Sequence, residues 1–322
     1  MKLGVMTVLY QDLPLEKALD KIAAMGLEAV ELGTGNYPGN HHCNPDELLS
    51  APEGARQLRR QIEKRGLMIS ALSAHGNPLH PDEEIASAAH ETWRKTVRLA
   101  ALLEVPVVIG FSGCPGDHRG ATKPNWVTCA WPTDFLEVLE WQWSERVIPY
   151  WLEEAAFAEQ HGVKVALEMH PGFVVYNPET LLRLRGAAGS AIGANFDPSH
   201  LFWQGIDAVE AIKAVGRERA IFHVHAKDTY IDPANTRVNG VLDTKDYGRI
   251  AERSWIFRTV GYGQNDKVWR DIMSALRTVD YDYVMSIEHE DALLSIDEGL
   301  KKAVDFLHGL LFKQERTAMW WA

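Results

Sequence analysis

Short apolar runs alternate along this chain with longer stretches in which apolar residues recur every three or four positions, the periods of a buried strand and of an amphipathic helix. LGVMTV (3–8) is followed by LEKALDKIAAMG, where Leu15, Ala18, Leu19, Ile22 and Ala23 share one helical face before Gly26 stops it. The unit recurs as EAVEL (28–32) with a helix through ARQLRRQIEKRG, LMISALS (67–73) with a helix over 82–104, and PVVIGFS (106–112) with a helix beginning at DFLEVLEW. That fourth helix carries Pro149, which lacks an N–H and should bend or split it. VKVALEMH (163–170), AIGANF (191–196), RAIFHVH (219–225) and YVMSIE (283–288) supply strands five to eight, each with its helix. Eight strand-and-helix units predict an α/β fold, a (β/α)8 TIM barrel in one domain over 1–322. Its loops after strand four (113–133) and strand seven (229–263) are enlarged. A doubly wound sheet is the competing topology, but no strand is followed by GxGxxG or a Walker A pattern.

Strand five organises the chemistry. Val163, Val165 and Leu167 share one parity and Lys164, Ala166, Glu168 and His170 the other, so a carboxylate and an imidazole converge where the strand ends. In a parallel barrel that end carries the ligand site. The next three strands end in kind: Asp197 in NFDPSH, His225 in HVHAKD and Glu288 in SIEHE. Each alone has a plain explanation, a turn residue before Pro198, a satisfied core histidine or a solvated strand end. Together, Glu168, Asp197, His225 and Glu288 make a hard, mostly oxygen donor set for one divalent cation, Mn²⁺ or Mg²⁺ first, with Co²⁺ or Zn²⁺ admitted by the histidine. Three clustered carboxylates would repel one another without one.

Other residues are placed by their loops. His75 and Asn77 in SAHGNPLHP follow strand three, where substrate contact competes with a turn at Pro78. Trp255, Ile256 and Phe257 beside Arg258 suggest an ordered lid in the loop after strand seven, with Arg258 reaching a substrate oxygen; a subunit contact is the other reading. His170 suits proton transfer or substrate positioning rather than metal ligation. The tail residues Trp320 and Trp321 are expected to dock on the barrel or on a second subunit.

Charge and composition narrow the partners. A net charge of −11 argues against nucleic-acid and anionic-membrane surfaces, and hence against a nuclease on this barrel. Three cysteines without a CxxC pair exclude a disulfide framework and a cysteine-rich zinc site, and point to a reducing cytoplasm. No apolar run of membrane-spanning length occurs, and no cleavable leader is evident at MKLGVMTVLY.

The motifs LEMHPG, NFDPSHLFW, HVHAKD and SIEHED, in this order and spacing, resemble those of the sugar phosphate isomerase/epimerase family, the xylose isomerase-like TIM barrels. The resemblance implies a small sugar or oxidised-sugar substrate, a divalent metal on Glu168, Asp197, His225 and Glu288, Glu168 and Glu288 as acid and base, and His200 near the substrate. It also implies a homo-oligomer. The long interval between His225 and Glu288, and His170 two residues past Glu168, resemble the subgroup that includes the large subunits of C-glycoside deglycosidases, which are lyases; that subgroup would bring a small accessory subunit. A barrel that only binds sugar stays open as a reading.

Overall fold

The computed structural model describes residues 1–321. Eight parallel strands close into a barrel: β1 (Lys2–Met6), β2 (Ala29–Gly33), β3 (Met68–Ser73), β4 (Val107–Gly110), β5 (Lys164–Glu168), β6 (Ile192–Phe196), β7 (Ile221–Ala226) and β10 (Val284–Ile287). β10 is the eighth barrel strand, because the segment after β7 forms a separate antiparallel pair, β8 (Asp228–Ile231) with β9 (Trp255–Arg258). The barrel predicted from periodicity is therefore the fold, with a two-stranded excursion at one mouth.

Both faces of each barrel strand are covered, which is why the strands read as near-continuous apolar runs. Val5, Val30, Leu72, Val108, Val165 and Leu167 join the large core formed with the surrounding helices. Ala71, Val107, Ile109, Ala166 and Phe222 form a smaller cluster in the barrel interior, with Tyr283 packed against it. Above that plug the interior turns polar. Two register shifts help it do so, one between β2 and β3 at Val30/Glu31 and one between β6 and β7 at Ala194/Asn195. In each, an extra residue, Ser70 or Phe222, interrupts strict alternation, and bulges of this kind re-aim neighbouring side chains.

The helices follow their local signals. Asp82 caps Glu83–Leu103 by accepting from the Glu84 and Ile85 amides, and Asn177 with Thr180 forms a capping box ahead of Pro178–Ala188. The helix expected to bend at Pro149 does change character there: Asp134–Trp141 passes through a π-helical turn, Gln142–Val147, into Ile148–Gln160. A proline that cannot donate to the preceding turn accounts for the break.

Four expectations need correction. Pro45–Ser50 is a short helix inside what reads as loop, started by an Asn44 cap and Pro45. β5 ends at Glu168, so His170 stands in the following turn rather than on the strand, its amide bonded to the Glu168 carbonyl. The segment 229–263, read as one long loop, contains regular structure, the β8–β9 pair flanking the helix Pro233–Asn239, and its order is that expected of the lid. Among the described residues Trp320 and Trp321 do not dock on the barrel; they lie exposed, edge to face against each other. The loop after β4 is as long and irregular as expected, and no described helix is long and apolar enough to cross a membrane.

Candidate metal centre

Strand order sets the site. β5, β6, β7 and β10 are consecutive neighbours, so Glu168, Asp197, His225 and Glu288 converge at the C-terminal mouth, where one ligand atom from each lies within 4.8 Å of the others. His225 Nδ1 is 3.2 Å from Glu168 Oε2 and 3.1 Å from Glu288 Oε2, and makes an aligned hydrogen bond with neither. Asp197 Oδ2 is likewise buried without a hydrogen-bond partner. Buried polar atoms left in this state are costly, and here two of them point into one cluster of carboxylate oxygens. Three carboxylates and one imidazole nitrogen so arranged fit a divalent cation.

The electrostatics agree. Burial would raise Glu168, but hydrogen bonds from His200 and His75, with the His225 ring close by, hold it well below the usual carboxylate range. Burial pushes Asp197 up to about 6 despite the nearby Lys227 ammonium. Burial disfavours a charged His225, yet Glu31, Glu288 and Glu168 together raise it well above its ordinary value. Glu168 and Glu288 are thus held ionised, the state a metal ligand needs, and Asp197 alone of the three carboxylates is pushed toward its neutral form.

Sequence-predicted residues around this set fall into two groups. His200 Nε2 sits 3.0 Å from Glu168 Oε1 and 3.4 Å from Asp197 Oδ2, and His75 Nε2 sits 3.2 Å from Glu168 Oε2. The His170 ring packs at a tilt against His200, centroids 4.1 Å apart, and its Nδ1 lies 2.6 Å from the Pro171 carbonyl oxygen. A ring nitrogen against a carbonyl must carry the proton, so Nε2 of His170 is left as the basic atom. Burial, reinforced by His200, pushes this ring down to about 3, so it is neutral at physiological pH.

Asn77 and Arg258 both have partners in other loops of the chain. The Asn77 amide donates to the Cys114 carbonyl and accepts from the Cys114 and Leu79 amides, tying the loop after β3 to the loop after β4. Arg258 Nε lies 3.2 and 3.1 Å from the Asp291 carboxylate oxygens, latching β9 to the loop after β10. The lid reaches the centre through Phe257 instead, 5.3 Å from the His200 ring with Lys227 Nζ 4.7 Å from its own centroid. Between lid and last loop lies a cavity of about 530 Å³ lined by His170, Tyr247, Phe257, His289 and Glu290 among others.

Several functional neighbours were not legible as such. Lys227 is buried and bridges Glu288 at 2.6 Å, Asp197 at 3.2 Å and Glu290 at 3.2 Å. Its place beside His225 in HVHAKD was the only available signal. Asn195 donates to Glu168 Oε2 at 2.9 Å and accepts from His223, whose other nitrogen meets the Ser70 hydroxyl. Glu31 lies against His225 from the far side of the barrel.

Fold and centre together define a class: the chain belongs to the xylose isomerase-like TIM barrel family, whose model matches residues 19–310. Among individual relatives, the uncharacterized protein YfiH of Bacillus subtilis (strain 168) is 39% identical over 310 residues, 95% of this chain and 98% of that one. The crystal structure of the probable 3-DHS dehydratase AsbF of Bacillus anthracis superposes with a TM-score of 0.65 at 17% identity, covering 96% of this chain and 99% of that chain. A D-psicose 3-epimerase crystallised in the presence of D-fructose superposes with a TM-score of 0.61 at 14% identity, covering 97% and 99%. At such identities these structures establish the shared barrel and nothing finer.

Proposed function

We propose that this protein is a divalent-metal-dependent sugar isomerase or epimerase that abstracts a proton next to a carbonyl and works through an enediolate. The observation that carries the reading is the convergence of Glu168, Asp197, His225 and Glu288, with two buried donor atoms that have no hydrogen-bond partner. These four residues would hold one cation, Mn²⁺ foremost. Such a cation polarises a carbonyl and an adjacent hydroxyl, which acidifies the C–H between them.

The chain's own groups supply the rest. His170 presents a neutral Nε2 beside the lid cavity, the state a general base needs. Glu288 is the more exposed of the two glutamates and is the one placed to share in proton transfer, held ionised by Lys227 and His225; Glu168 is enclosed by His75, His200 and Asn195 and serves chiefly as a ligand. Phe257 and the β8–β9 pair cover the mouth, limiting water around a reactive carbanion. The substrate is a small sugar or oxidised sugar, and the reaction belongs in the cytoplasm.

The second reading is a lyase that uses the same first step and then expels a leaving group, and it is favoured by the base candidate His170, which stands beside the lid cavity. One experiment separates them. Mn²⁺-loaded protein is incubated in deuterated water with ketoses, cyclitols and 3-oxo-glycosides and followed by NMR. Deuterium in recovered or epimerised sugar, with no released group, supports the isomerase; release of water or an aglycone supports the lyase; turnover unchanged after metal removal sinks both. In either case His170→Ala should lower turnover by about 100-fold or more while Mn²⁺ stays bound.

A further inference from the structure

We propose that Glu31 is a positioning residue for the metal centre: its carboxylate holds the Nε2–H of His225 and so turns the Nδ1 lone pair toward Glu168, Asp197 and Glu288. The inference rests on the metal reading above and assigns to β2 a part in a site whose donors all come from other strands.

His225 Nε2 lies 2.9 and 3.1 Å from the two Glu31 oxygens. Both residues are completely buried. A carboxylate accepts only, so Nε2 is the protonated nitrogen and Nδ1 is the one available as a ligand. Flipping the ring to offer Nε2 to the centre would break both contacts. The Ser73 hydroxyl also donates to Glu31, fixing the carboxylate itself from β3.

Two comparisons within the molecule give this arrangement a purpose beyond packing. Among the described residues Glu31 has no lysine or arginine partner; His225 is the one residue paired with it, with His223 close by. A buried carboxylate so placed contributes little to stability compared with an apolar residue of its size. Residues lower in the same interior are Ala71, Val107, Ile109 and Ala166. The second comparison is His223, two positions along β7. Its Nδ1 meets Asn195 Oδ1 at 3.0 Å and its Nε2 meets Ser70 Oγ at 3.2 Å, so it is a satisfied core histidine. His225 is held at one nitrogen and left free of any hydrogen bond at the other, the pattern expected of a ligand with an outer-sphere carboxylate.

The test uses the full chain, stripped of metal, in wild-type, Glu31→Leu and Glu31→Gln forms. Calorimetric titration with Mn²⁺ reads affinity, and NMR of the His225 ring reads the Nε2 proton, which a carboxylate partner shifts far downfield. Glu31→Leu should weaken Mn²⁺ binding by about 10- to 100-fold and abolish the shifted proton. Glu31→Gln keeps an acceptor and should lose less affinity, retaining a less shifted proton. Melting temperature is followed in parallel, because a merely structural role would lower it without changing the affinity of the folded protein. Should Glu31→Leu fail to fold, Glu31→Gln and Ser73→Ala carry the same measurements, each with a smaller expected loss. Wild-type affinity in the folded variants, or a Nε2 proton unchanged by loss of the carboxylate, overturns the proposal. If wild-type protein takes up no Mn²⁺, Mg²⁺, Co²⁺ or Zn²⁺, the metal reading itself fails, and the proposal with it; uptake that ignores Glu31 removes only the role of Glu31.

Discussion

The two halves of the barrel divide the work at the mouth differently. β5, β6, β7 and β10 deliver the four donors, each at or just past its C-terminal end. β2 and the turn after β3 deliver no donor but reach across the interior to hold those that do, Glu31 on His225 and His75 on Glu168, while Ser70 of β3 fixes the core histidine His223 beside them. A ligand loop can be specified by a local motif, whereas a brace must be specified by shape at a distance. This distinction predicts graded consequences. Removing a donor should be the most damaging change: Asp197→Asn or Glu288→Gln should cost more than about 100-fold in Mn²⁺ affinity, with turnover falling in step. Calorimetry on the folded variants checks this, and a donor variant that binds as well as a brace variant would erase the division.

The same division explains what could be read from sequence. Strand and helix periods, the order of eight units and the four donors were all legible, because each is written within a few consecutive residues such as NFDPSH or HVHAKD. The braces were not, because Glu31 and His225 are 194 positions apart, Ser70 and His223 are 153 apart, and His75 and Glu168 are 93 apart. Bulges compound this: the register shifts opposite Glu31 and Asn195 break the alternation from which a side chain's facing is deduced. Asn77 and Arg258 were assigned to substrate because polar groups at this end of a barrel usually face the pocket. Their partners, the Cys114 backbone and Asp291, lie in other loops whose approach no period encodes.

A brace variant should fall between the extremes. His75 gives Glu168 one of several donors, the others coming from His200 and Asn195. His75→Ala should therefore weaken Mn²⁺ binding by about 10-fold, less than loss of Asp197 or Glu288. Because His75 also packs edge-on against Phe111 at 4.6 Å, the variant's melting temperature must be measured beside its affinity. An affinity loss equal to that of a donor variant would mean that His75 belongs with the donors.

The smallest effect is expected where the lid is fastened. The Arg258–Asp291 pair joins β9 to the loop after β10, and Asp291 also accepts from the Thr259 and Leu293 amides, so one carboxylate ties the end of β9 to its own loop at the rim. The arginine side chain is mostly shielded from solvent, but an ion pair at a protein edge contributes about 1 kcal/mol or less, a few-fold in an equilibrium constant. Arg258→Ala should accordingly raise KM a few-fold by loosening the lid over Phe257, with Mn²⁺ affinity unchanged. Amide hydrogen exchange over residues 229–263 should quicken in parallel, since the hairpin loses a tether but keeps its own β8–β9 pairing. If exchange and KM both stay at wild-type values, the pair is not a latch. If Mn²⁺ affinity falls as well, the lid and the donor set are one mechanical unit, and the separation between the halves of this barrel is less sharp than its geometry suggests.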